Sequence, residues 1–286
     1  MVVTREGMIP LFHLTYQGNM NDTKVFRAGI TEIKNRLIEL ELETEQHTLI
    51  FDRGNNSKNN LGIARDLQLH YVGTLTPYNH KKLIDETIDS FEEIDVDGNI
   101  IQVYRNKRVV WQEERTVVVF ISEKLKAGQI RGIYQCLKKK EQQLWQLQES
   151  LLNPRAKKHN KEELKNKIIN LVKGQFLDNL INWSVSEISE GNSQLQFSIN
   201  KENLSEIEDK LGFRIFMTDR HHWNTVDIIK AHYSQSFVEH TFKNLKNPYD
   251  LALKPQFHWT DQKIIVHYFG CVLCYLLSAI VWRRLS

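Results

Sequence analysis

Residues 1–76 switch repeatedly between the two-residue period of strands and the 3.6-residue period of helices, and that order confines the chain to an α/β fold. Val2-Val3-Thr4 and Met8 to Tyr16 read as two strands joined by a tight turn in which Gly7 takes the positive φ. Gly18-Asn19 ends the second strand. Asp22 or Thr23 then caps a helix in which Phe26, Ile30, Ile33, Leu37 and Leu40 keep helical spacing to about Glu45. His47 to Phe51 is a short buried strand ending at Asp52, Asn60 to Leu67 a short helix, and Leu69 to Leu75 another strand. Such an order lays helices over a sheet, with right-handed crossovers wherever strands run parallel.

Residues 77–212 read as a large α+β insertion between two parts of one domain, 1–76 and 213–286. Asp97-Gly98 is a hairpin turn signal, Asn99 to Val110 a strand region turning at Arg105-Asn106-Lys107, and Thr116 to Ile121 a further strand. Ser122 caps a long helix to about Leu152, stopped by Asn153-Pro154, and a lysine-rich helix follows from Lys161. Gln194 to Ile199 is a strand, Asn203 to Leu211 a short helix, and Phe213 to Met217 a strand leading to Thr218-Asp219.

A net charge of +3 over 286 residues is only mildly basic, but the charge is unevenly placed. Asp85 to Asp97 holds seven acidic residues and no basic one, whereas Cys136 to Gly174 holds ten Lys or Arg against four Glu. Lys138, Lys139, Lys140, Arg155, Lys157, Lys158, Lys161, Lys165 and Lys167 flank Trp145, so a nucleic-acid surface would lie here. Three cysteines make no disulfide framework, and the N-terminus lacks the build of a signal peptide, which points to the cytoplasm. Cys271 and Cys274 sit in an apolar run and read as buried core thiols. That run, Ile264 to Trp282, has the length of a membrane span with Arg283-Arg284 after it, but it is expected to be a helix covered on all sides in the core.

Chemistry concentrates in His232 to Lys246, HYSQSFVEHTFKNLK, which reads as one helix stopped by Asn247-Pro248. Val238, Phe242 and Leu245 form its apolar face, and His232, Gln235, Glu239 and Lys246 recur at three, four and seven residues as a polar stripe. Far upstream, HTLIFDRGN places Asp52 at the end of a strand, from which it and Glu239 can converge. Asp219 with His221-His222 resembles a metal cluster, but is expected to be a loop capping the Glu239 helix. His258 and Trp259 read as packing residues.

These residues resemble the DDE transposases of bacterial insertion sequences, in the group marked by a Tyr-Arg-Glu-Lys signature around the catalytic Glu. Its spacing falls on His232, Gln235, Glu239 and Lys246: Glu and Lys match, Tyr is displaced to Tyr233, and Gln235 stands in place of Arg. GNMND (Gly18 to Asp22), LIFDRGN and the tail PQFHWTDQKIIVHYF extend the resemblance over nearly the whole chain.

The resemblance implies a ribonuclease-H-like mixed sheet with helices, and cut-and-paste transposition on double-stranded DNA, both transposon ends and target. Water cleaves a phosphodiester, and the freed 3′ hydroxyl then attacks target DNA. It implies two Mg²⁺ ions at the site, no small-molecule cofactor, and association as a homodimer. Asp52 and Glu239 would be catalytic metal ligands, and Lys246, Gln235 and Arg53 would contact DNA. The family's first catalytic Asp lies on a strand before the hairpin and has no counterpart in this sequence. A truncated, inactive or weakly active transposase is therefore the expectation; the alternatives are a non-catalytic DNA-binding remnant and another ribonuclease-H-like nuclease.

Overall fold

The structure is a computed structural model describing residues 1–20, 22–51, 53–152, 161–174, 177, 179–189, 192–254 and 257–285, with Asp22, Thr23, Arg53, Leu152, Ile188, Ser189 and Asn192 placed by their backbone alone. It opens with β1 (Val2–Val3) and β2 (Pro10–Phe12), an antiparallel pair turned at Gly7, φ +75°. Helix α1 (Asp22–Glu39) follows, with Ile30, Ile33 and Leu37 buried. It stops six residues before the expected end, because Glu41 takes φ +57° and the N–H groups of Glu41 and Leu42 turn back to the carbonyls of Ile38 and Leu37. Next come β3 (Thr48–Ile50), α2 (Lys58–Asp66) and β4 (His70–Leu75). The Ser57 hydroxyl caps α2 by accepting the Asn60 N–H at 3.2 Å.

Helix α3 (Lys81–Thr87) leads to three consecutive antiparallel strands, β5 (Glu92–Val96), β6 (Asn99–Val110) and β7 (Glu113–Ile121). Asp97 and Gly98 both have positive φ, the geometry of a two-residue hairpin turn. Strand β6 runs straight through Arg105-Asn106-Lys107; the expected turn lies instead at Trp111 and Gln112, also at positive φ. Beyond it run α4 (Glu123–Leu152), α5 (Lys161–Val172), β8 (Ile181–Ser189), β9 (Asn192–Ile199) and α6 (Lys201–Asp209). The chain closes with β10 (Phe213–Thr218), α7 (Thr225–Tyr233), α8 (Ser236–Leu245) and α9 (Asp261–Leu285).

Two compact units result, Met1–Phe120 with Arg214–Ser286, and Ile121–Phe213. The first is a mixed α/β unit around a six-stranded sheet of order β3-β4-β10-β7-β6-β5, in which β3 and β4 are parallel and the other registered pairs antiparallel. Residues 77–120, assigned above to the insertion, therefore supply three strands of this sheet, because β6 and β7 pair over their whole lengths and β7 lies next to β10. Val72, Val118, Phe120 and Phe216 pack with Ile228 and Ile229 of α7. The alternate residue Tyr71 projects from the other face, where its ring meets Phe51. Gly73 lies on that face too, with Asn56 so close that a Cβ would stand 2.2 Å from its Oδ1.

The second unit packs Leu137 and Leu144 of α4 against Leu164 and Ile168 of α5, with Leu195 from the β8–β9 hairpin. Strand β8 was not expected, although Ile181, Trp183 and Val185 alternate in it and Gly191-Asn192 follows in the sequence as a hairpin turn signal. The indole of Trp145 is edge-on to Phe197, with ring centroids 5.0 Å apart. Lys140 donates to the Leu171 carbonyl and Lys165 pairs with Glu162 at 3.5 Å, whereas Lys138, Lys139, Lys161 and Lys167 are exposed. Arg155, Lys157 and Lys158 lie outside the described residues.

The C-terminal apolar run is not covered on all sides. Within α9 only Cys271, Tyr275 and Ala279 are buried, against α8 and the β1–β2 hairpin, and 17% of its most apolar 18-residue window is buried. By length and composition it could cross a membrane. Cys271 is buried, with its thiol pushed up in pKa by burial and then by Cys274, but Cys274 is exposed, contrary to the expectation of two core thiols. Trp259 is 94% exposed and packs against nothing that would bury it, and His258, also exposed, lies 5.1 Å from the His267 ring.

Candidate functional site

The helix expected over His232 to Lys246 is two helices. The Ser234 hydroxyl donates to the Ala231 carbonyl at 2.6 Å and the Ser236 hydroxyl to the Tyr233 carbonyl at 2.9 Å, so the chain tightens between α7 and α8. Their separation breaks the polar stripe. His232, on α7, is buried and stacked on Phe216 at 4.0 Å, a core ring. Tyr233 is exposed and meets the same phenylalanine edge-on at 6.5 Å. Gln235 stands at the N-cap of α8 and Lys246 at its C-cap.

Glu239 is exposed on the first turn of α8, where a carboxylate suits the positive end of the helix. It has no hydrogen-bond or ion-pair partner among the described residues. The Lys246 ammonium stands 5.5 Å from the Phe242 ring centroid on an exposed side chain. Asp52 lies outside the described residues, as does the side chain of Arg53, whose backbone begins a single 3₁₀ turn directly after it.

A groove of about 880 Å³ runs between the end of β3 and the start of α8. Ile50, Phe51 and Asn55 line it, with Ser234, Gln235 and Val238. The chain neighbours of Asp52 and the residues just before Glu239 thus border one space. Among the described residues no three His, Cys, Asp or Glu side chains are grouped closely enough to hold a metal ion.

The expected Asp219, His221, His222 cluster is dispersed. Asp219 bonds His70 Nδ1 at 2.7 Å and accepts the Tyr71 N–H at 3.1 Å, binding the end of β10 to β4. His221 Nδ1 pairs with the Thr116 hydroxyl at 2.9 Å. Nor does this loop cap α8: Asn224 caps α7 by accepting the Asp227 N–H at 2.7 Å. Sequence reasoning missed Arg220, which donates to the Thr48 hydroxyl at 3.1 Å and to the carbonyl of Glu45 at 2.6 Å, fastening β3 at its start. It also missed Arg115, 1% exposed, which donates to the Tyr71 hydroxyl at 2.7 Å and pairs with Glu113 at 2.6 Å. A lone arginine in a strand carries no local sign of such a partner. Comparison with protein-family models, curated proteins and solved structures gives no significant match.

Proposed function

We propose that the chain is a DDE-type transposase polypeptide with a ribonuclease-H-like catalytic domain, acting on double-stranded DNA. One observation carries the reading: Phe51 and Asn55, on either side of Asp52 in sequence, share a groove with Gln235 and Val238, which precede Glu239. Asp52 follows the carboxyl end of a parallel strand, the end at which α/β sheets place their ligands. Glu239, unpaired among the described residues, is in the condition a carboxylate needs to take up a hard divalent cation.

Mg²⁺ held by Asp52 and Glu239 would neutralise charge on the attacking and leaving oxygens of an in-line displacement at phosphorus. The chain's own part is to grip DNA. Lys246 offers a mobile ammonium to a phosphate, Gln235 an amide donor weaker than a guanidinium fork, and Arg53 a charge beside Asp52. The family's chemistry uses three carboxylates and this reading assigns two, so cleavage by the chain alone is expected to be weak or absent. The site is therefore tested by Fe²⁺ in place of Mg²⁺, with ascorbate and peroxide, which cuts a polypeptide beside bound metal. Cuts at both Asp52 and Glu239, competed away by Mg²⁺, are expected; cuts at neither would overturn the reading. Mg²⁺-independent DNA binding that survives Glu239→Ala, without those cuts, would leave only a DNA-binding role.

A further inference from the structure

Strand β3 terminates the six-stranded sheet, and β1–β2 forms a two-stranded sheet of its own. The Phe51 N–H donates to the Val72 carbonyl at 3.5 Å. By strand alternation, Leu49 and Phe51 then turn their backbone groups toward β4, and Thr48 and Ile50 turn theirs away from it. Across the hairpin, the Thr4 N–H donates to the Ile9 carbonyl at 2.9 Å, which turns the Val3 backbone outward in the same way. Both edges border the groove of about 880 Å³ described above, a volume within the roughly 300–1,000 Å³ of pre-formed ligand sites. Gly29, Ile33 and Leu37 of α1 and Val238 of α8 supply further apolar lining.

We infer that this groove is the docking slot for an extended segment of a second polypeptide, apolar at alternate residues, which adds a strand beside β3. Outward N–H and C=O groups at Thr48 and Ile50 ask for a partner backbone, and an extended chain provides both at the strand repeat. A helix satisfies its own backbone and could not. The apolar lining then accepts every second side chain of the added strand. Charge adds a preference: Arg5 and Arg283 line the groove against Glu6, and Arg283 lies beside Gly7, where a Cβ would meet its Cδ at 3.5 Å. The segment therefore carries an acidic residue at the end that lies near the hairpin turn.

The slot shares this groove with the DNA-cutting reading but takes its contacts from the β3 backbone and the apolar lining, not from the Asp52 or Glu239 carboxylates, so the Glu239 variant separates the two. The probe is a fluorescein-labelled ten-residue peptide in which Val and Thr alternate and a Glu closes one end. Saturable anisotropy with the full chain and slowed amide exchange at Ile50 are expected, unchanged in Glu239→Gln. Gly29→Met places a long side chain at a helical position that lines the groove and should weaken binding at least tenfold in the folded chain. Ile50→Pro removes an outward donor while the pairing of Leu49 and Phe51 with β4 is kept; it should weaken binding similarly. Undiminished binding to folded Gly29→Met, equal binding of a peptide with Pro at alternate positions, or no saturable binding would each overturn the inference. So would a dimer of the chain that protects the Ile50 amide without peptide, since a second copy would then be the occupant.

Discussion

The two ends of the six-stranded sheet are built differently. At one end β5, β6 and β7 are consecutive in sequence, joined by two-residue turns and paired along their lengths, and Lys230 of α7 bonds Asp97 at 2.5 Å across the first turn. At the other, β3 is three residues long, held on one side by β4 and at its start by Arg220, and open to a groove on its far side. The hairpin end is closed by local sequence, and the β3 end depends on residues brought from far along the chain. Stability should therefore concentrate toward the hairpins, and binding at the β3 end.

The largest expected effect breaks the hairpin side. Phe120→Ala removes a ring 1% exposed and edge-on to Phe216 at 5.0 Å, and should cost about 3–5 kcal/mol in urea denaturation. The half-buried Ile50 truncated to Ala should cost less than half of that; equal losses would erase the contrast between the ends.

Tyr71 on β4 comes next. Burial raises its hydroxyl pKa more than the neighbouring Arg115 guanidinium lowers it. A raised pKa means that the folded state favours the neutral phenol. Its stabilisation is thus whole below about pH 10 and is lost as pH climbs through the raised value. Tyr71→Phe should cost about 1–3 kcal/mol at neutral pH by leaving the buried Arg115 Nη1 without the hydroxyl it donates to, while Nη2 keeps Glu113, and should flatten the alkaline loss.

Two glycine substitutions sharpen the contrast at smaller scale. Gly98, at φ +81°, should lose roughly 1 kcal/mol or more on replacement by Ala. Gly29 lies inside α1, where a Cβ would come no nearer than 3.7 Å to Leu14. Gly29→Ala should raise stability by about 0.4–1 kcal/mol, read as a higher melting temperature.

Much of this architecture was legible in the chain itself, for reasons that are local. Period-two and period-3.6 patterns marked most elements, though not α3, β5 or β8, Asp97-Gly98 marked its turn, and Ser122 marked the start of α4, where its hydroxyl accepts the Leu125 N–H at 3.4 Å. The site was less legible. His232 and Glu239 seven residues apart read as one face of one helix, yet two serine hydroxyls bonding back to carbonyls divide that helix and send His232 into the core. Cys274 and Trp259 read as buried because an apolar stretch does not state which of its sides meets a neighbour.

What the sequence by itself determined is the kind and succession of elements, since backbone preference, capping and short turns act over a few residues. Only the tertiary structure decided that β10 joins β4, that residues 77–120 belong to the main sheet, that α9 buries one narrow face, and that a groove opens beside β3. Those outcomes depend on which distant surfaces find one another, and the pairing of strands far apart in the chain leaves no periodic trace in either.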